Sequence, residues 1–196
     1  YDYQPSRGGY HAEEFLKGFS GYLTCDGFSG YNKLKDVIRC GCLAHMRRYW
    51  NEALPEKSKK SGAKTPAEIG FEYCSQLFEL EKEYADLDAE TRKAKRLETE
   101  PAIWEAYWSW LETVNPVSGS RLEKAVTYAK NQKPYMENYL FDGRCSISNN
   151  IAENIARPYA VGRKNFLFHD TVKGARASSI IYSLVETAKL NNLNIY

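Results

Sequence analysis

No apolar run in this chain of 196 residues approaches the roughly 20 residues that a membrane-spanning helix needs. The longest near the end, Ile180 to Val185, is interrupted by Ser183. The opening Tyr1-Asp2-Tyr3-Gln4-Pro5 has neither the basic flank nor the apolar stretch of a secretory leader. It also has no initiating Met, so the chain is expected to be a piece of a longer protein. Charge of one sign is lacking too: 27 basic and 25 acidic residues leave a formal +2, which selects no class of partner. The five cysteines, Cys25, Cys40, Cys42, Cys74 and Cys145, are odd in number and irregular in spacing. That pattern excludes a disulfide framework and favours free thiols in a reducing compartment. Cys40, Cys42 and His45 offer three soft ligands, but no second pair at zinc-site spacing accompanies them. Buried core thiols are the simpler account. No internal repeat is present.

What the chain has in quantity is aromatic residues: 15 Tyr, 8 Phe and 4 Trp. That content excludes a disordered polypeptide, and the length suits one domain with an insertion. Charge is segregated along the chain. Arg157, Arg163, Lys164, Lys173 and Arg176 face only Asp170 in their stretch, and Arg47, Arg48, Lys57, Lys59, Lys60 and Lys64 form a second basic cluster. Between Glu79 and Glu100 acids outnumber bases. Segregated positive charge marks either a phosphate-binding face or a solvated surface.

The first 45 residues read as α/β. Tyr1-Asp2-Tyr3 resembles the end of a strand, and Ala12 to Phe19 a short helix closed by Gly18 and Gly21. Tyr22 to Cys25 reads as a buried strand ending at Asp26-Gly27, followed by a helical turn through Tyr31 and Leu34 and a second strand, Val37 to Cys42. Strand, helix, strand at this spacing predicts a parallel pair, with Asp26 at a carboxyl end, where open α/β sheets place ligands. The middle is helical. Thr65-Pro66-Ala67-Glu68 combines a capping box with proline at the first helical position, and Ile69, Tyr73, Leu77, Leu80, Tyr84 and Leu87 make one stripe. Ser58 to Lys64 is a polar loop ahead of it. Pro101 opens the next helix, with Trp104, Trp108 and Leu111 on one face, and Ser120 with Glu123 caps a third carrying Leu122, Val126 and Ala129. After Ser146 the character changes: a short helix from Asn149-Asn150 is stopped by Pro158. A basic loop, Gly162 to Asn165, leads into Phe166-Leu167-Phe168. A last helix runs from Thr171 to Asn191 with Ala177, Ile180, Ile181, Leu184, Val185 and Ala188 inward.

Two carboxylates fall where chemistry is possible. Asp26 ends a buried strand and Glu153 lies in the first turn of a helix beside basic residues. Carboxylates on a rigid scaffold can hold divalent cations for phosphodiester chemistry. Asp-Gly is equally an ordinary turn, and Glu three residues after an asparagine is an ordinary capping partner.

Blocks of sequence settle the direction. Gly21-Tyr22-Leu23-Thr24-Cys25-Asp26-Gly27-Phe28-Ser29-Gly30-Tyr31-Asn32 resembles the signature GYLQTDGYSGYN of the insertion-sequence-66 type of bacterial transposase. Gly41-Cys42-Leu43-Ala44-His45-Met46-Arg47-Arg48 resembles its GCWAHARR. Ser148 to Glu153, Arg157-Pro158 and Gly162 to Phe168 resemble its DNNAAERAIRP…GRKNWLF, and Tyr182 to Asn191 its closing helix. The blocks occur in family order over nearly the whole chain. Ser148, Cys25, Phe28 and Phe166 depart from the pattern without removing a proposed metal ligand.

The resemblance implies an α/β fold: a ribonuclease-H-like core of the DDE transposase/integrase kind, with an incomplete sheet and a mainly helical insertion before the last acid. Residues 1–55 would be part of that core, 56–145 the helical insertion and 146–196 its C-terminal part. Asp26 matches the second acid and Glu153 the third, both as catalytic residues and as ligands of Mg²⁺ or Mn²⁺; the first acid is expected upstream of Tyr1. The implied activity is metal-dependent DNA cleavage and strand transfer on transposon ends and target DNA, by a homo-oligomer in the bacterial cytoplasm at the nucleoid. Arg157, Arg163, Lys164, Arg47 and Arg48 would contact DNA phosphates, and His45 and Asn150 would stand beside the acids, His45 being equally readable as a core histidine. A non-catalytic DNA-binding or assembly module, and a different two-metal nuclease on the same plan, are the competing readings.

Overall fold

The computed structural model describes residues 1–56, 62–166 and 169–195, with nothing said of the Phe166 side chain. Lys57 to Ser61, which include most of the expected polar loop, and Leu167-Phe168 lie outside the described residues. The chain is mixed α/β and mostly helical. In order it runs α1 (Gly9–Phe15), β1 (Gly21–Cys25), a 3-10 turn (Ser29–Lys33), β2 (Val37–Gly41), α2 (Leu43–Glu52), α3 (Pro66–Glu83), α4 (Ala89–Leu111), α5 (Arg121–Met136), a second 3-10 turn (Asn138–Phe141), α6 (Asn150–Phe166) and α7 (Val172–Leu190). It divides into two compact units, residues 1–17, 30–33 and 150–196, and residues 18–29 and 34–149.

In the larger unit, β1 and β2 pair in parallel, Gly21 opposite Val37 and Cys25 opposite Gly41. This is the arrangement expected from the strand–turn–strand spacing. β2 packs on α5, and α2 packs on α3 and α5. The core lies among these helices, where Trp50, Leu43, Met46, Leu77, Trp104, Tyr107 and Leu111 are all buried. Trp50 Nε1 donates to Tyr107 Oη at 3.2 Å, which satisfies a polar handle inside an apolar cluster. α3 approaches Trp50 at Gly70, where an added Cβ would stand 2.4 Å from the indole ring. The Thr65 cap forms as expected: its Oγ1 accepts from Glu68 N at 3.3 Å, and Glu68 Oε2 accepts from Thr65 N at 2.7 Å. Ser120 Oγ likewise accepts from Glu123 N at 3.0 Å.

Several boundaries differ from expectation. The stripe from Ile69 to Leu87 is not one helix. α3 ends at Glu83, and Asp88 caps α4 by accepting from Glu90 N and Thr91 N at 3.0 Å each. α4 therefore starts at Ala89, and Pro101 lies inside it rather than opening it. Proline leaves the carbonyl four residues earlier without its helical donor. Here both Pro101 and Leu97 are exposed, so the proline lies on the solvent side of the helix, where a lost helical bond costs least. The same holds in α6. Pro158 does not stop the helix, because Asn154 four residues before it is exposed, and Gly162 to Asn165 are helical rather than a loop.

In the smaller unit, Tyr1-Asp2-Tyr3 is not a strand, and α1 begins at Gly9 and ends at Phe15, ahead of Gly18 at φ +83°. The rings of Tyr1, Tyr159 and Tyr182 pack together, with Tyr159 and Tyr182 centroids 5.0 Å apart. α7 starts after Thr171, whose Oγ1 caps Gly174 N at 3.0 Å, and ends at Leu190, close to the expected limits. Its inward face differs. Ala175 and Ser179 are buried, while Ala177, Ile180, Ile181 and Leu184 are exposed and Val185 and Ala188 half-buried. No helix among the described residues is long and apolar enough to cross a membrane.

Candidate functional site

β1 delivers Asp26 one residue past its carboxyl end, half-buried. Asp26 Oδ1 accepts from Phe28 N at 3.0 Å, an Asx turn that sets the carboxylate's direction. Gly27 sits against α5: a Cβ there would be 3.0 Å from Gln132 Nε2 and 3.1 Å from the Tyr128 ring. Tyr128 Oη and Gln132 Oε1 are buried with no hydrogen-bond partner among the described residues. Burial first, then the neighbouring Cys42 and Asp26, pushes the Tyr128 phenol well above its ordinary range. α5 thus lays two buried polar groups behind the Asp26 turn. The sequence reading missed both; the available signal was a glutamine in the apolar stripe Ala125, Ala129, Met136.

The segment that returns from the helices is tied to the same strand ends. Thr24 Oγ1 donates to Ser146 O at 3.2 Å, and Leu43 N donates to Ile147 O at 3.0 Å. Asn149 Oδ1 is buried without a partner among the described residues. Just upstream, Arg96 of α4 fixes this return with all five guanidinium donors. It holds Glu81 through Nε and Nη2 at 2.6 Å each, Tyr139 O at 3.0 Å, Asp142 O at 3.1 Å and Cys145 O at 2.8 Å. Arg92, one turn earlier, donates to Gly143 O at 3.2 Å and to the carbonyls of Tyr84, Ala85 and Leu87. Glu100 is fully buried beside this clamp and accepts from Tyr139 Oη. Burial, against the pull of the Tyr139 hydroxyl, raises its carboxyl to about 7. None of these clamp residues was singled out from sequence, because a charged residue within a helix reads as surface.

Glu153 lies in the first turn of α6 and is exposed, and Asn150 is the first residue of that helix. Arg157, Arg163 and Lys164 are exposed on the same helix, Arg163 and Lys164 in its last turn. Glu153, Arg157 and Lys164 share one face by their spacing of four and seven. The two acids belong to different compact units: Asp26 to the larger, Glu153 to the smaller.

α2 carries the remaining candidates. His45 is half-buried. Arg47 is half-buried: its Nε donates to Ser75 Oγ at 3.2 Å and its guanidinium lies 4.5 Å over the Phe71 ring. Arg48 is exposed, with Glu52 at 3.8 Å. Cys40 and Cys42 are fully buried, and Cys40 Sγ faces Cys145 Sγ at 4.0 Å. No cluster of three or more His, Cys, Asp or Glu arranged for a metal occurs among the described residues.

A small parallel strand pair in a mostly helical chain makes this a mixed α/β protein. Comparison gives the family. The model of the transposase IS66 family matches residues 1–177, and the chain belongs to that family. Two relatives are from Sinorhizobium fredii. "Uncharacterized protein y4qI" is 31% identical over 99% of this chain and 37% of its own length. "Uncharacterized protein y4jD" is 29% identical over 100% of this chain and 40% of its own. The chain thus spans well under half the length of these relatives. No solved structure matches it.

Proposed function

We propose that this chain carries two acids of a DDE-type catalytic centre, Asp26 and Glu153, on a ribonuclease-H-like core interrupted by the helical insertion 56–145. The reaction is divalent-metal-dependent cleavage of DNA at transposon ends, followed by joining of the freed 3′-hydroxyl to target DNA, in a cytoplasmic homo-oligomeric complex. The observation that carries this reading is Asp26 itself, a carboxylate oriented at the carboxyl end of a parallel strand in a chain of the IS66 family. The remaining acid is assigned to sequence outside these residues.

The donor chemistry fits Mg²⁺ or Mn²⁺, which prefer carboxylate oxygens and keep several waters. The Phe28 amide occupies one Asp26 oxygen, and the other has no hydrogen bond among the described residues. When bound, the ion supplies a Lewis acid for the phosphodiester and lowers the pKa of water. The protein's own contribution is placement. The Asx turn fixes Asp26. The Arg96 and Arg92 clamp holds the return segment up to Cys145. Arg157, Arg163 and Lys164 neutralise phosphates in a sequence-independent, salt-dependent manner, with Arg48 as a further contact. Arg47, whose Nε also donates to Ser75 Oγ, is a further candidate.

The test is cleavage and joining of cognate ends by the full-length protein carrying Asp26→Asn or Glu153→Gln. Both reactions are expected to fall by at least about a hundredfold with DNA binding retained. Activity retained in either variant would refute the assignment; DNA binding without cleavage even in the unaltered protein would point to a non-catalytic assembly module.

A further inference from the structure

The outer seam between α2 and α5 carries two adjoining cavities of about 310 Å³ each. Tyr49 of α2 and Lys124 of α5 line both. Tyr49 stacks on Tyr128 with ring centroids 4.5 Å apart and planes 28° from parallel. Tyr128 lines the first cavity and also touches the Asp26 turn through Gly27. Arg121 lines the second cavity, and Arg48 lies 5.9 Å from the Tyr49 ring. The carboxylates in the seam are already partnered: Glu123 accepts from Gly119 N at 2.6 Å, and Glu52 stands 3.8 Å from Arg48. Lys124 has no ion-pair partner among the described residues. A half-buried tyrosine ring beside Lys124 and Arg121, the latter donating to Glu52 O at 3.4 Å, combines the aromatic and cationic groups with which proteins hold an unpaired nucleic-acid strand. In a duplex the base faces are covered by their neighbours, so a tyrosine platform selects bases that have left the stack. Cavities of this volume suit one nucleotide at a time, at the lower end of small-molecule sites.

We propose that this seam is a binding groove for an unpaired DNA strand, with Tyr49 as the base platform and Lys124 and Arg121 on the phosphates, leading by way of Tyr128 to Asp26. The groove deepens the catalytic reading, on which its placement rests, by naming a single-stranded rather than a paired substrate segment.

The test uses the full-length protein in EDTA, so that strand cleavage does not interfere. Anisotropy is measured on oligo-dT, on the same strand paired with its complement, and on a single strand containing 2-aminopurine. Tyr49→Leu keeps apolar packing against Tyr128 but removes the π face, and Tyr49→Phe keeps both. Tyr49→Leu is expected to weaken single-strand binding by about fivefold or more with duplex binding unchanged, and to abolish 2-aminopurine quenching; Tyr49→Phe is expected to restore both. Lys124→Ala, at an exposed position, is expected to flatten the salt dependence of single-strand binding by about 0.7 in log–log slope. Equal loss on duplex and single strand, or no loss on either, would overturn the groove. Catalysis is scored separately: Asp26→Asn is expected to bind oligo-dT like the unaltered protein while losing cleavage. Cleavage surviving in Asp26→Asn would sink the catalytic reading alone, whereas unaltered strand binding in Tyr49→Leu would sink the groove alone.

Discussion

The helical body of residues 18–29 and 34–149 puts its large side chains out of water, whereas the body containing residues 150–196 leaves many of them in it. In the first, Trp50 and Leu111 are 0% exposed and Trp104 and Tyr107 1%. In the second, Ile151 is 68% exposed, Leu184 67% and Ile180 60%, and the buried positions of α7 are the small residues Ala175 and Ser179. Folding energy from apolar burial is therefore concentrated in the helical body, which also holds Asp26. The body with Glu153 carries exposed charge and exposed apolar surface together. Substitutions of similar chemistry should consequently have very unequal effects in the two.

The largest effect is expected at Arg96. Replacing it with Ala leaves the Glu81 carboxylate and the Cys145 carbonyl without the Arg96 donors and strips one of two donors from the carbonyls of Tyr139 and Asp142. Removing one partner of a buried charge network typically costs about 3–5 kcal/mol. Lys should rescue little of this, because a point charge cannot reproduce the fork. Urea unfolding of Arg96→Ala against Arg157→Ala measures the contrast. The exposed Arg157 is expected to change stability by less than about 0.5 kcal/mol, and similar losses at both positions would break the comparison.

A pH dependence of intermediate size follows from Glu100. Its carboxyl is raised from 4.5 to about 7, chiefly by burial. Between those values the folded state holds a proton that the unfolded state has released. Stability therefore falls as pH rises through that window and levels off above it. The drop is on the order of 3 kcal/mol. Glu100→Gln, which keeps a neutral hydrogen-bonding group, is expected to remove this slope between pH 5 and pH 8 and to exceed the unaltered protein in stability at pH 8. An unchanged slope would show that Glu100 is not the group responsible.

The local chemistry of the strands and caps was readable from sequence; the consequences of packing were not. The Asp26-Gly27 turn, the parallel pair and the Thr65 cap depend on adjacent residues, and each formed where expected. Prolines misled because their effect in a helix depends on which side faces water, and Pro101 and Pro158 both stand four residues beyond exposed positions. The inward face of α7 was misread because Ile and Leu outweigh Ala and Ser in any apolar pattern, although small residues allow the closest helix approach. For the site, the motif blocks singled out Asp26 and Glu153. Tyr128, Gln132 and Arg96 escaped notice because each interacts with residues distant in sequence: Gly27 for the first two, Glu81 and the 139–145 segment for the third.

The smallest expected effect is also the sharpest check on the contrast between the bodies. Leu184 and Leu111 have the same side chain at helical positions, one 67% exposed and the other 0%. Truncating a fully buried leucine to Ala removes transfer energy and leaves a cavity, for about 2–5 kcal/mol. Truncating an exposed one forfeits little burial, and Ala has the higher helix propensity. Leu184→Ala is therefore expected to shift stability by less than about 0.5 kcal/mol. Equilibrium unfolding of the full-length protein, followed by a probe in each body, distinguishes the outcomes. If Leu184→Ala cost as much as Leu111→Ala, that side chain would be buried in the complete protein, and its exposure would belong to residues 1–196 alone.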